Sequence, residues 1–183
     1  MTRNEIRICG FGGQGVIKMA QVIGEATAIH EGKHSTLNQS FGPEARGGSC
    51  SATLVLDEKR VDYPYISNPQ IMIAMSQEAY NQYVNEVTDD GIIIIEEELV
   101  KPGELKSSQK LFSIPATRFA EEIGQKIVLN IIMIGFIAAV TNVVSVESMR
   151  KSVESNVPAS FLEMNMQAFE KGYQYGLKTI SEQ

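Results

Sequence analysis

The sequence predicts a single-domain α/β protein, residues 1–183, with three α/β/α layers and a mixed sheet in the middle. Three observations carry that expectation. An apolar, strand-like run at residues 6–9 passes through a glycine-rich turn into a helical pattern at 16–30. From there to the C-terminus, short apolar runs alternate with helical ones, which is the element order of a layered α/β architecture. A strand pattern at 49–57 is turned back at Asp57-Glu58-Lys59, so the sheet is expected to hold an antiparallel pair around that hairpin.

The first strand leads into Cys9-Gly10-Phe11-Gly12-Gly13-Gln14-Gly15. Glycines permit a tight turn and let backbone N–H groups approach an anion, while the helix that follows presents unpaired donors and a partial positive charge at its N-terminus. Gly10, Gly12 and Gly15 have the G-x-G-x-x-G spacing of Rossmann-like dinucleotide folds. The same cluster would also serve as a plain tight crossover. Gly32 ends the first helix in a left-handed turn. Residues 34–40 stand where the second Rossmann strand belongs, and an NAD site would carry an acid at its end for the ribose hydroxyls. Asn38 and Gln39 are found there instead, and the first carboxylate is Glu44, beyond Pro43. A stand-alone NAD or FAD enzyme is therefore disfavoured.

Phe41-Gly42-Pro43-Glu44-Ala45-Arg46-Gly47-Gly48 cannot lie inside regular structure. A loop so rich in glycine, with Arg46 in it, suits contact with an anion, a cofactor or another chain; an Arg46–Glu44 clasp that only fixes the loop is the alternative. Tyr63, Pro64 and Tyr65 predict an irregular or edge segment, since proline removes a ladder donor. Residues 71–75 form a short buried strand, and Ser76 caps a helix over 77–87 with Glu78 in its first turn. The β-branched run 92–95 predicts a strand covered on both faces. Glu96-Glu97-Glu98 follows it as a solvated run, since no His or Cys stands nearby to make a metal site. A strand at 110–114, a helix from 116 to 123 stopped by Gly124, an apolar helix from about 127, an amphipathic one at 146–155 and a last helix at 159–177 complete the chain. Phe161, Met164, Ala168, Phe169 and Tyr173 mark a packing stripe on the last.

Composition narrows the function. The chain is 43% hydrophobic and 21% charged with a formal net charge of -6, so it has no basic footprint for nucleic acid or anionic lipid. Residues 127–144 are about as long as the roughly 18-residue threshold for a membrane span, but Asn130, Thr141 and Asn142 make a buried central helix the better reading. No secretory signal is apparent, and a cytoplasmic location is expected. Cys9 and Cys50 cannot ligate an iron–sulfur cluster unaided, because such clusters usually take four thiolates; buried free thiols are expected. His30 and His34 have no triad-like partners, so no catalytic acid, base or nucleophile is nominated.

Taken together, the 10–15 and 41–48 loops, Asn130 with Gly135, and the closing run Glu163-Met164-Asn165-Met166-Gln167-Ala168-Phe169-Glu170-Lys171-Gly172 resemble the gamma subunit of 2-oxoacid:ferredoxin oxidoreductases. The resemblance spans essentially the whole chain. It implies a subunit that is not active alone, in an assembly that decarboxylates a 2-oxoacid on thiamine diphosphate with Mg2+, passes electrons through [4Fe-4S] clusters to ferredoxin, and releases an acyl-CoA. None of those cofactors is expected on this chain alone. The implied partners are alpha and beta chains and, in some assemblies, a ferredoxin-like delta chain, with self-association of the isolated chain as an alternative. The implied role is to help close the side of the active site where CoA enters. Gly10, Gly12, Gly13, Gln14 and Gly15 would supply backbone and amide donors and Arg46 charge, with Pro43, Glu44, Gly47 and Gly48 in the second loop either on CoA or on another subunit. The loops lean toward the 2-oxoglutarate type; branched-chain 2-oxoacid and pyruvate complexes are the alternatives, and a free-standing nucleotide- or CoA-binding regulatory module is the reading from another class.

Overall fold

The structure is a computed structural model that describes residues 3–42 and 48–182. In chain order the elements are β1 (Asn4–Phe11), α1 (Val16–Glu25), β2 (His34–Phe41), β3 (Ser49–Asp57), β4 (Ile71–Ala74), α2 (Gln77–Tyr83), β5 (Ile92–Glu96), β6 (Lys110–Ile114), α3 (Ala116–Ile123), α4 (Leu129–Thr141), α5 (Val146–Asn156) and α6 (Leu162–Ser181). The strands form one six-stranded sheet of order β2-β3-β1-β4-β5-β6. β1, β4, β5 and β6 are parallel neighbours, whereas β3 runs antiparallel to both β1 and β2. The mixed α/β sheet is thus as expected, but its antiparallel hairpin is β2–β3, joined through residues 42–48 and not at Glu58-Lys59. β2 also departs from the Rossmann position. It lies at the sheet edge, and β3 takes the place beside β1.

The two faces of the sheet are covered unequally. Ile6, Ile8, Leu54, Ile73 and Ile94 point to the main core, under α1, α4, α5 and α6. On the other face Cys9, Met72, Ile93 and Ile95 pack with Ala79 and Tyr80 of the short helix α2 and with Val100. Ser76 caps α2, its hydroxyl accepting from the Ala79 amide at 3.3 Å. The helical pattern at 16–30 is α1 followed by a single π turn, Ala26–His30, and Gly32 has the left-handed φ of 64° that its position as a stop requires.

α4 is apolar on every side and buried from Asn130 to Val140, because it is enclosed between the sheet and α6. Among the described residues no helix is long and apolar enough to cross a membrane. α4 and α6 approach at backbone contact. A methyl group on Gly135 would lie 2.0 Å from the Phe169 carbonyl oxygen, and one on Gly172 would lie 1.9 Å from that of Ile132.

Glu96 is a correction to the expectation of a solvated acidic run. Glu97, Glu98 and Leu99 are exposed, but Glu96 is fully buried. Its Oε2 accepts from the amides of Glu98 at 3.0 Å and Leu99 at 2.8 Å, and its Oε1 accepts from Thr117 at 2.9 Å. The carboxylate therefore closes the turn after β5 and satisfies an amide in the first turn of α3, which has no side-chain cap of its own.

Cys9 and Cys50 are free, buried and directed to opposite faces of the sheet. Burial pushes the Cys9 thiol up to about 12, and the thiol of Cys50 is raised for the same reason. Since the thiolate is the nucleophile, native protein at pH 8 should leave Cys9 unmodified by iodoacetamide. Labelling should appear only in denaturant, as read by intact mass; rapid native labelling of Cys9 would contradict the burial.

Candidate functional site

The glycine-rich turn lies at the C-terminal edge of the parallel strands, where β1 leads into α1 and β4 stands beside it. In open α/β sheets that edge, at the point where connections diverge to either side, is where ligands bind. The turn is held from within. Gly12 donates to the Gly48 carbonyl at 2.9 Å, extending the β1–β3 ladder by one rung, and the Gln14 amide donates to Phe11 at 3.2 Å. The Gln14 side chain accepts from the Phe11 amide at 2.6 Å and donates to the Met75 carbonyl at 2.8 Å. It ties the loop after β1 to the end of β4. Its carboxamide thus has internal partners, whereas the sequence reading gave it to a ligand.

The glycines have distinct uses. A side chain on Gly10 would meet Gln14 Oε1 at 2.4 Å, so Gly10 makes room for that tie. Gly13 and Gly15 have φ of 98° and 77°, values that L side chains rarely adopt. Gly13 faces open space, while Gly15, the residue before α1, would drive a methyl to 2.7 Å from the Asn130 side chain. The amides of Gly13 and Gly15 and of the first turn of α1 have no acceptor among the described residues, and α1 carries no acid in its first turn. Open donors of this kind at a helix N-terminus suit an anion. Gly15→Ala is expected to lower stability by about 2 kcal/mol or more, from the left-handed φ and the contact with Asn130; urea denaturation of the full chain checks it.

Two hollows flank the turn. On the α2 side a cleft of about 330 Å³ is lined by Phe11, Gln14, Met75, Ser76 and Leu99. Phe11 and Leu99 are 36% and 41% exposed, an apolar wall next to polar groups. On the α4 side an apolar pocket of about 290 Å³ lies between Lys18, Asn130, Ile131, Phe161 and Met164. Ile127 and Phe161 at its rim are 80% and 53% exposed, so Phe161 leaves the packing stripe to which Ala168 and Phe169 belong. Met75 and Leu99 were not singled out from the sequence. For Met75 the signal was indirect: a strand that runs into the Ser76 helix cap has to stop beside the glycine turn once β1 and β4 are parallel neighbours.

Gly48 is placed at the start of β3, on Gly12. Pro43, Glu44, Arg46 and Gly47 lie outside the described residues. Among the described residues no ligand set is placed for the metal of thiamine diphosphate or for an iron–sulfur cluster. The two thiols face apart, and no group of three or more His, Cys, Asp or Glu is placed to hold a metal among the described residues.

The family model described as pyruvate ferredoxin/flavodoxin oxidoreductase matches residues 5–175. The chain is 40% identical over 174 residues to the 2-oxoglutarate synthase subunit KorC of Methanocaldococcus jannaschii, covering 94% of this chain and 93% of that protein. It is 32% identical over 178 residues to the pyruvate synthase subunit PorC of the same organism, covering 95% and 97%. The crystal structure of the keto/oxoacid ferredoxin oxidoreductase gamma subunit from Geobacter sulfurreducens superposes with a TM-score of 0.81 at 31% identity, over 96% of this chain and 99% of that one. With the sheet and glycine turn described above, these likenesses establish that the chain belongs to the pyruvate ferredoxin/flavodoxin oxidoreductase family, as a gamma-type subunit.

Proposed function

We propose that the chain serves a multi-subunit 2-oxoacid:ferredoxin oxidoreductase that converts 2-oxoglutarate and CoA to succinyl-CoA and CO2 with reduction of ferredoxin, and that it forms the side of the active site through which CoA enters. The observation that carries the substrate is the higher identity to a 2-oxoglutarate synthase subunit than to a pyruvate synthase subunit of the same organism, 40% against 32%. Thiamine diphosphate, Mg2+ and the [4Fe-4S] clusters belong to the alpha, beta and delta-type chains, which supply the decarboxylation and electron transfer.

This chain's contribution is binding and exclusion. The open amides of Gly13, Gly15 and the first turn of α1 engage the phosphates of CoA, with Arg46 supplying charge. Gln14 keeps the amides aimed by fastening the loop to Met75. Phe11 and Leu99 cover an apolar part of the ligand in the cleft beside them.

The test is reconstitution with the alpha and beta chains and assay of CoA-dependent viologen reduction across several 2-oxoacids. The highest kcat/KM is expected with 2-oxoglutarate; a preference for pyruvate or a branched-chain 2-oxoacid would overturn the substrate. With Gly13→Ala as the control for the strain that φ of 98° puts on any side chain, Gly13→Asp sets a carboxylate among the anion donors at a residue with free space around it. It is expected to raise KM for CoA about tenfold, the scale of 1.4 kcal/mol, while KM for 2-oxoglutarate and subunit recovery stay unchanged. An intact complex with unchanged CoA affinity in both Gly13→Asp and Arg46→Ala would overturn the binding role.

A further inference from the structure

The outer edge of β2 has properties that soluble proteins normally design away. Exposed edge strands are blunted by charges, prolines, bulges or a covering segment, because their free amides and carbonyls template pairing with another chain. His34-Ser35-Thr36-Leu37-Asn38-Gln39-Ser40-Phe41 contains no Asp, Glu, Lys, Arg or proline. Its register with β3 is unbroken from His34↔Asp57 to Phe41↔Cys50, so it carries no bulge. β3 takes the amides of the even-numbered residues, as the Gly42 to Ser49 bond of 2.7 Å that continues the ladder shows. The odd-numbered residues, Ser35, Leu37, Gln39 and Phe41, therefore turn their amides and carbonyls outward, and no described strand pairs with them. The Gln39 amide is held by its neighbour's side chain, Asn38 Oδ1, at 2.9 Å.

Those same residues point their side chains to the α1 face. There a hollow of about 200 Å³ opens between β2 and α1, lined by Ser35, Leu37, Ala20, Gln21, Gly24 and Glu25, whose carboxylate accepts from Asn156. Phe41, at the far end of the strand, is 66% exposed. One strand thus carries a bulky apolar knob at one end and a hole near the other, the arrangement that an isologous, two-fold contact requires.

We infer that β2 is the interface between two copies of this chain, paired antiparallel about a two-fold axis through Asn38. In that register Leu37 faces Gln39 and Ser35 faces Phe41 of the second copy, all as hydrogen-bonded pairs. Each Phe41 ring enters the hollow beside the other copy's Ser35 and Leu37. Asn38 releases the Gln39 amide to the Leu37 carbonyl across the axis. No like charges are opposed anywhere along the pair. The two sheets join into one, with both copies of α1 on the same face.

The full-length chain, measured by light scattering after gel filtration, is expected at twice 20.1 kDa. Gln39→Pro removes an outward amide at an edge, where proline is tolerated, and Phe41→Asp puts a charge on the knob. Both should remain folded by circular dichroism and return to the monomer mass. Asn38→Cys places two thiols across the axis at a non-hydrogen-bonded site, within disulfide reach. It should form an inter-chain disulfide under mild oxidation, while the buried Cys9 and Cys50 form none. The same cross-link should join two gamma chains in the complex assembled with alpha and beta chains. A wild-type chain that stays at 20.1 kDa at millimolar concentration overturns the inference. So does a dimer that survives Gln39→Pro, or a cross-link seen in the isolated chain and absent from the complex, which would give the edge to another subunit.

Discussion

Gly172→Ala is expected to cost about 3 kcal/mol or more, above the usual range for one added methyl group in a packed interior. The methyl would sit 1.9 Å from the carbonyl oxygen of Ile132, and the next atoms it meets are also α4 backbone. A clash with a side chain can be relieved by rotation; a clash with the backbone of a helix enclosed by the sheet requires the two helices to separate. For a domain of this size each kcal/mol moves Tm by roughly 2–4 °C, so a fall of about 6–12 °C is the expected reading. Gly135→Ala, with its methyl 2.0 Å from the Phe169 oxygen, should act similarly. The double variant should lose less than the sum, because a crossing opened by one methyl already accommodates the other. Gly103→Ala, with nothing within 4 Å, is the control and should stay close to wild type.

Loss of the Glu96 carboxylate is expected to be comparably severe. Glu96→Ala leaves the amides of Glu98 and Thr117 without the carboxylate oxygens that accept from them, while the Leu99 amide loses its 2.8 Å bond and keeps only the Glu96 carbonyl at 3.2 Å. Hydrogen bonds to a charged group are each worth about 1.5–3 kcal/mol, and orphaned donors add their own penalty, so a loss of about 3–5 kcal/mol is expected. Glu96→Gln keeps one acceptor oxygen and should fall between wild type and alanine. The exposed neighbour Glu98→Ala should change little, and urea denaturation of all three variants gives the ordering. Equal effects at residues 96 and 98 would remove Glu96 from its structural role. On the proposed role of the cleft, of which Leu99 forms part of the wall, Glu96→Ala in the assembled enzyme should also weaken CoA binding.

Much of this was legible in the sequence because the signals were local. The glycine turn between a strand and a helix, the Ser76 cap, the left-handed stops at Gly32 and Gly124, and the all-apolar run that became α4 each depend on residues close together in the chain. The misplaced features depend on distant ones. Glu96 is indistinguishable from Glu97 and Glu98 until α3 is folded over it and Thr117 supplies a donor. β2 has the same length whether it lies beside β1 or at the edge; only pairing with β3 decides. Gln14 could serve a ligand or the loop, and the choice fell to the loop because the Met75 carbonyl, 61 residues on, comes within 2.8 Å. Ala168, Gly172 and Gly176 stand four apart on one face of α6, but only the fold shows that α4 is what they approach.

The place of β1 in the sheet bears on how the protein is made. β1 lies between β3, which is complete at residue 57, and β4, which is complete only at residue 74. Until then Ile6, Ile8 and Cys9 lack their partners on the β4 side, and closing those long-separated contacts is slow compared with forming the helices. The nascent chain therefore passes through a stage in which a buried central strand still has an open edge. Synthesis paused within the first 70 residues should yield a chaperone-bound or aggregating species, and release past β4 should bring protease resistance to the N-terminal third in a single step.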